Sequence, residues 1–293
     1  MENSGAVEGI EYWLQWQVLL CALIFVLPTA LAVRLLRKRG GGSDPLKPVD
    51  LWAPCWRNLH PRWLLFYRAF AFIAMAYLLY ETVAAFGFFV FFFYTQWTFA
   101  LVLVYFAIAT VVSIRGCRRK PIQTGEKDNL LKKDMEEKLG FLENLLQIIY
   151  QTSAGAVMLT DIVFWCLLLP FMSGENFKLT LLIGCMHSVN AVFLIIESAV
   201  NRMPFTWFGL IYFVLWSCSY VVFQWAIHAC CVKWWPYPFL DLSTPWAPLW
   251  YLALALVHIP CYGLYVLLTK AKHAVFSTWF TRSFVRFPEK KEI

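Results

Sequence analysis

The chain has 293 residues, of which 60% are hydrophobic, 18% aromatic and only 15% charged, with a formal net charge of +7. A soluble domain carries roughly 25% charged residues, so a large water-soluble domain is excluded. The apolar residues fall in blocks of about 20, the length that crosses roughly 30 Å of hydrocarbon, and they lack the punctuation of strands, which excludes α/β and all-β folds.

Taken in chain order, the blocks predict an all-α, polytopic transmembrane helical bundle with spans at 13–33, 63–86, 88–114, 145–171, 179–200, 205–227 and 249–268. The start does not read as a cleaved signal peptide. Glu2, Glu8 and Glu11 stand where a basic segment belongs, and no small-residue cleavage site follows. With these spans, all of the 25 Lys and Arg residues except Lys178 and Lys233 fall on one side of the membrane. The positive-inside rule makes that side cytosolic, with the N-terminus luminal and the C-terminus cytosolic. The positive charge is therefore a topology signal and implies no nucleic acid.

Beyond the last span, Phe276, Phe280, Phe284 and Phe287 recur at helical spacing with Arg282 and Arg286 between them. This predicts an amphipathic helix over 273–288 on the cytosolic leaflet. The final residues, Lys290-Lys291-Glu292-Ile293, have the dilysine pattern that coat proteins read on cytosolic tails of endoplasmic reticulum membrane proteins. The organisation expected is a luminal N-terminus with a first span (1–45), a six-span core (46–272) and a cytosolic tail (273–293). Nine cysteines form no framework, and no metal or cofactor motif is present.

Polar groups inside spans are costly, so they mark partners or function. Span five carries a stripe of His187, Asn190, Glu197 and Asn201, span four carries Asp161, and span seven carries His258. Counted along its own span, Thr95 lies roughly 10 Å from the luminal end and His187 roughly 14 Å, with Asp161 and His258 near the same level. A hydroxyl, an imidazole and a carboxylate at one depth are the parts of an activated nucleophile. The competing reading is structural, because a threonine in such a helix commonly bonds its own backbone carbonyl and a buried histidine can simply join helices.

The segment Met186-His187-Ser188-Val189-Asn190, continuing to Glu197, resembles the histidine-bearing span of the androgen-induced / rolling-stone membrane proteins. Phe93-Tyr94-Thr95-Gln96-Trp97 is similar to their aromatic-x-Thr segment in its rolling-stone form, and Trp235-Pro236-Tyr237-Pro238-Phe239-Leu240-Asp241 to their Trp-x-Tyr-Pro-Phe-Leu-acid turn. The charged loop at 129–138 matches in character, and the resemblance covers about 62–272. It implies a six-span bundle, to which the first span is an addition, and the hydrolysis of fatty acid esters of hydroxy fatty acids. It also implies an intramembrane Thr nucleophile, which falls on Thr95, and a His, which falls on His187. Thr98 stands as a second candidate nucleophile, and Asn190 and Tyr94 as candidate oxyanion donors. Expected partners are membrane lipids, a lipid ester substrate and coat proteins at Lys290 and Lys291. A non-catalytic scaffold related to membrane fusion, and a transporter of small molecules or ions, are the alternatives.

Overall fold

The computed structural model describes residues 9–39, 47–118, 140–172 and 178–285. Lys290, Lys291, the loop at 129–138 and the last residues of the predicted tail helix lie outside them. Among the described residues, seven helical segments are long and apolar enough to cross a membrane, and the only β pairing is two isolated bridges. Besides two short helices at Ile10–Trp13 and Pro48–Trp52, the bundle is built from α1 (Trp16–Arg39), α2 (Pro61–Phe86), α3 (Tyr94–Arg118), α4 (Phe141–Val163), α5 (Leu181–Met186), α6 (Val189–Val200), α7 (Leu210–Cys230) and α8 (Ala247–Trp279). Together α5 and α6 make up one span.

The central helix is α4, packed on α3, α6, α7 and α8, whereas α1 lies at the edge against α7 and α8. Every residue of α4 from Tyr150 to Thr160 is buried. Its run Thr152-Ser153-Ala154-Gly155-Ala156 lets neighbouring helices approach closely, the usual role of small residues where water drives no association. At Gly155 an added Cβ would lie 2.6 Å from Phe213 Cδ1 and 2.9 Å from Tyr262 Cδ2. Gly155→Ala gains up to about 1 kcal/mol of helix propensity but overpacks two fully buried rings, at a cost of about 1–3 kcal/mol. The expected result is a lower thermal unfolding midpoint in detergent; an unchanged or raised midpoint would show that the rings yield freely.

Four predicted elements take a different form. The 88–114 span is not one helix: Gly87 ends α2 at φ 72°, Phe88–Phe92 form a tight 3₁₀ turn, and α3 begins only at Tyr94. Thr95 therefore sits at the head of a helix. The span at 179–200 is broken at His187 and Ser188, and α4 runs into a π-helical stretch, Phe164–Met172, that contains Pro170. The tail does not start a separate amphipathic helix at His273, because α8 continues to Trp279 and the chain then turns back. Phe276, Phe280 and Phe284 close around Trp56, with ring centroids 4.9, 5.4 and 5.7 Å away. Within the protein Trp56 helps bury Phe284 and half-bury Phe276, while Phe280 stays 45% exposed.

The basic end of the bundle is tied together by backbone. Cys55 N–H donates to Val200 O at 2.7 Å, Val285 N–H to Cys55 O at 2.8 Å and Arg57 N–H to Ser283 O at 2.7 Å. Inside this end lies an ion pair between Arg68 and Glu197, both fully buried. Arg68, counted above as a topology charge, thus belongs to the core. Tyr105 Oη (2.9 Å) and Asn201 Nδ2 (3.3 Å) also donate to Glu197, and Arg68 Nη1 donates to Leu51 O (2.8 Å) and Ser113 Oγ (2.7 Å).

Candidate functional site

At the opposite end from the basic loops, the 3₁₀ turn must place its unpaired carbonyls. Side chains take them: Tyr220 Oη and Gln224 Nε2 donate to Phe92 O at 2.7 and 2.6 Å, and Trp97 Nε1 donates to Phe91 O at 2.9 Å. These bonds pin the head of α3, and with it Thr95 and Gln96.

His187 is fixed from the neighbouring span. Met186 ends α5, and α6 begins two residues beyond His187. The π-helical stretch supplies two contacts: the Phe164 ring lies parallel to the imidazole, centroids 3.6 Å apart and planes 2° apart, and Trp165 Nε1 donates to His187 O at 2.8 Å. A widened turn re-aims consecutive side chains, and such turns are frequent at functional sites.

Both residues open on one cavity of about 520 Å³. Its walls come from the far end of α2, the 3₁₀ turn, the π-helical stretch, α5 and the Pro236-Tyr237-Pro238 loop. They are mostly Phe, Leu, Ile and Met, and the polar side chains are Thr82, Thr95, Gln96, His187 and Tyr237. A largely apolar pocket of about 300–1,000 Å³ with a few converging polar groups is the ordinary form of a small-molecule site.

Two polar atoms in this wall have no protein partner, His187 Nδ1 and Gln96 Oε1, and both residues are less than a tenth exposed. Thr95 also differs from other threonines in the bundle. Thr82, Thr110, Thr152 and Thr160 each bond the carbonyl four residues back. The Thr95 hydroxyl makes no bond of that kind and shares the cavity wall with Tyr237.

The other predicted site residues lie elsewhere. Tyr94 turns toward α7, its hydroxyl 2.7 Å from Ser217 Oγ and its ring 4.9 Å from that of Tyr220. Thr98 is fully buried on the same side, against the Tyr94 hydroxyl. The Asn190 amide lies beside the Asp161 carboxyl, one turn away from the contact between Phe164 and His187. His258 packs on Phe213 with centroids 4.5 Å apart, and its Nδ1 lies 2.6 Å from Leu254 O. Equal depth along separate helices did not bring Asp161 and His258 to the cavity wall, because depth ignores the direction in which each residue leaves its helix axis.

Sequence reasoning missed Gln96 and Tyr237. Gln96 adjoins Thr95 in the sequence, but periodicity cannot choose among neighbours at the first turn of a helix. Tyr237 lay in the quoted turn motif, where two flanking prolines signal a fixed backbone, yet no spacing rule predicts that this loop folds under the head of α3. Searches against family models, curated proteins and solved structures return no match.

Proposed function

We propose that this membrane-embedded bundle is a hydrolase of fatty acyl esters, with Thr95 as nucleophile and His187 as its base. The observation that carries the reading is that Thr95 and His187, from separate spans, line one apolar cavity, the threonine hydroxyl making no bond to a carbonyl of its own helix and the imidazole having an unpartnered nitrogen. The resemblance to the androgen-induced / rolling-stone proteins points to the same two residues. In this reading the acyl chain lies among the Phe and Leu walls. His187 takes the Thr95 proton as Oγ1 attacks the ester carbonyl, and returns it to the leaving alcohol. Water then releases the acid. The charge distribution supports a luminal position for the cavity and a cytosolic tail, and the dilysine pattern supports an endoplasmic reticulum address read by coat proteins.

The test uses the full chain purified in detergent, a panel of lipid esters and a fluorophosphonate probe. The expected result is ester turnover and a probe adduct on Thr95, with both lost in Thr95→Ala. Labelling that persists in Thr95→Ala removes Thr95 as nucleophile, and no turnover of any ester sinks the reading.

One observation favours a second reading. Transporters use broken helices at their binding sites, and the span containing His187 is broken there. Uptake of solute by proteoliposomes, abolished in His187→Ala, would select transport over hydrolysis.

A further inference from the structure

We infer that Gln96 is an oxyanion donor of the hydrolase site, its carboxamide N–H bonding the ester carbonyl oxygen as Thr95 attacks. This rests on the hydrolase reading above. It fills the role that the sequence offered to Asn190 and Tyr94, neither of which lines the cavity.

Helix geometry decides where the side chain goes. Residues three apart share a face of a helix. In the first turn of α3, Tyr94 and Trp97 take the face toward α7. The Tyr94 hydroxyl meets Ser217 Oγ, and the Trp97 ring lies 4.8 Å from that of Phe223 and 5.6 Å from that of Trp216. Thr95 and Gln96, between them in the chain, take the remaining side, and both line the cavity. The turn is held in place, since the Tyr94 N–H donates to Tyr237 Oη at 3.1 Å and Trp97 Nε1 donates to Phe91 O.

Hydrogen-bond capacity then selects the amide. An ester carries acceptor atoms only, so a wall that receives it must supply donors. Thr82 already donates to Leu78 O, and Thr95 gives its proton to His187 in the reaction. Gln96 is only 8% exposed, yet its Oε1 has no protein partner. A buried amide oxygen left without a partner lowers stability and calls for an explanation. A carboxamide turns readily about its last torsion, and no bond at the oxygen resists the rotation that presents N–H to a bound ester.

In the reaction, Thr95 Oγ1 forms a bond to the acyl carbon, its proton goes to His187, and the carbonyl π pair moves onto oxygen. Gln96 keeps both amide protons and lends a hydrogen bond to the oxygen that gains the charge. As the carbonyl re-forms, that pair returns and the leaving alcohol departs with the proton from His187. The first turn of α3 carries the partial positive charge of a helix N-terminus, so the helix acts on the oxyanion in the same sense as the amide.

The test is Gln96→Met in the full chain purified in detergent, which keeps the length of the side chain and removes the amide. The expected result is a fall of about 10²–10³-fold in kcat, the scale for losing one oxyanion donor, with KM nearly unchanged. Fluorophosphonate labelling of Thr95 slows as well, because the phosphoryl oxygen of the probe takes the place of the ester carbonyl oxygen. The thermal unfolding midpoint is expected to stay level or rise, since the oxygen removed had no partner. Wild-type rates in Gln96→Met overturn the inference alone, and a loss confined to Tyr237→Phe would then hand the role to the other hydroxyl on the wall. A raised KM with kcat unchanged also overturns it, by reducing Gln96 to ground-state binding, and so does a loss that comes with a lowered midpoint. A wild-type chain that neither labels nor turns over ester overturns the hydrolase reading, and this inference with it.

Discussion

Glu197→Leu is expected to unfold the bundle in mild detergent at temperatures where the wild-type chain stays folded. Arg68 and Glu197 are both fully buried, and every nitrogen of the guanidinium has a partner. Nε and Nη2 donate to Glu197 Oε1 at 3.0 and 2.6 Å, while Nη1 serves Leu51 O and Ser113 Oγ. Removing the carboxylate leaves a buried cation without its counter-charge, which costs about 3–5 kcal/mol. That is a large share of a domain stability of about 5–15 kcal/mol. The variant also takes from the Tyr105 hydroxyl its bond to Glu197 Oε1 and leaves it only the weak acceptor Met203 Sδ at 3.9 Å, a further cost of up to about 1–3 kcal/mol. The double variant Arg68→Met, Glu197→Leu removes both charges, and it is expected to recover most of the loss because an apolar pair of similar volume often replaces a buried ion pair without cost. Unfolding followed by tryptophan fluorescence and size exclusion measures all three proteins. A single variant as stable as wild type would mean that water reaches Arg68, and the pair would then be no keystone.

This pair also shows where the sequence stops being legible. Spans are readable because hydrocarbon thickness fixes their length and loop charge fixes their alternation, and the seven helical segments follow that pattern. The same counting hides Arg68, which lies seven residues inside α2 and enters a charge tally on equal terms with exposed loop residues. Its partner stands 129 positions away, and no periodicity connects them. Breaks are equally invisible to a 20-residue average. Ending α5 at Met186 changes the mean apolarity of the span very little, yet it decides where His187 points. For the candidate site, residue types and the resemblance singled out Thr95 and His187, whereas Gln96 and Tyr237 emerge only when the loop after α7 is seen packed against the head of α3. The tail differs for a related reason. A row of phenylalanines at helical spacing has to be buried somewhere, but the row itself does not say whether lipid or Trp56 covers it.

His187→Phe is expected to abolish turnover while leaving the fold intact, and this substitution separates chemistry from packing more cleanly than alanine does. The imidazole lies flat on Phe164 at 3.6 Å, so His187→Ala removes an aromatic contact and opens a void as well as deleting a base. A phenyl ring at the same position fills the same space, and a small slide on Phe164 gives the offset stack that two phenyl rings prefer, worth about 0.5–1.5 kcal/mol beyond area burial. The bond that holds this residue's backbone, Trp165 Nε1 to His187 O, does not involve the side chain. Nδ1 has no protein partner, so its loss strands no buried group and carries little of the penalty attached to a broken hydrogen bond. Stability is therefore expected to stay within about 1 kcal/mol of wild type. Loss of a general base, by contrast, lowers turnover by about 10²–10⁴-fold, which corresponds to roughly 3–5.5 kcal/mol of barrier at about 1.4 kcal/mol per decade. Fluorophosphonate labelling of Thr95 should slow with it, since the threonine loses its proton acceptor. The decisive comparison is the ratio of the two readouts. A large loss of turnover at constant unfolding midpoint assigns His187 to the chemistry. Full activity in His187→Phe would mean that the residue only packs on Phe164, and the nucleophile would need another base.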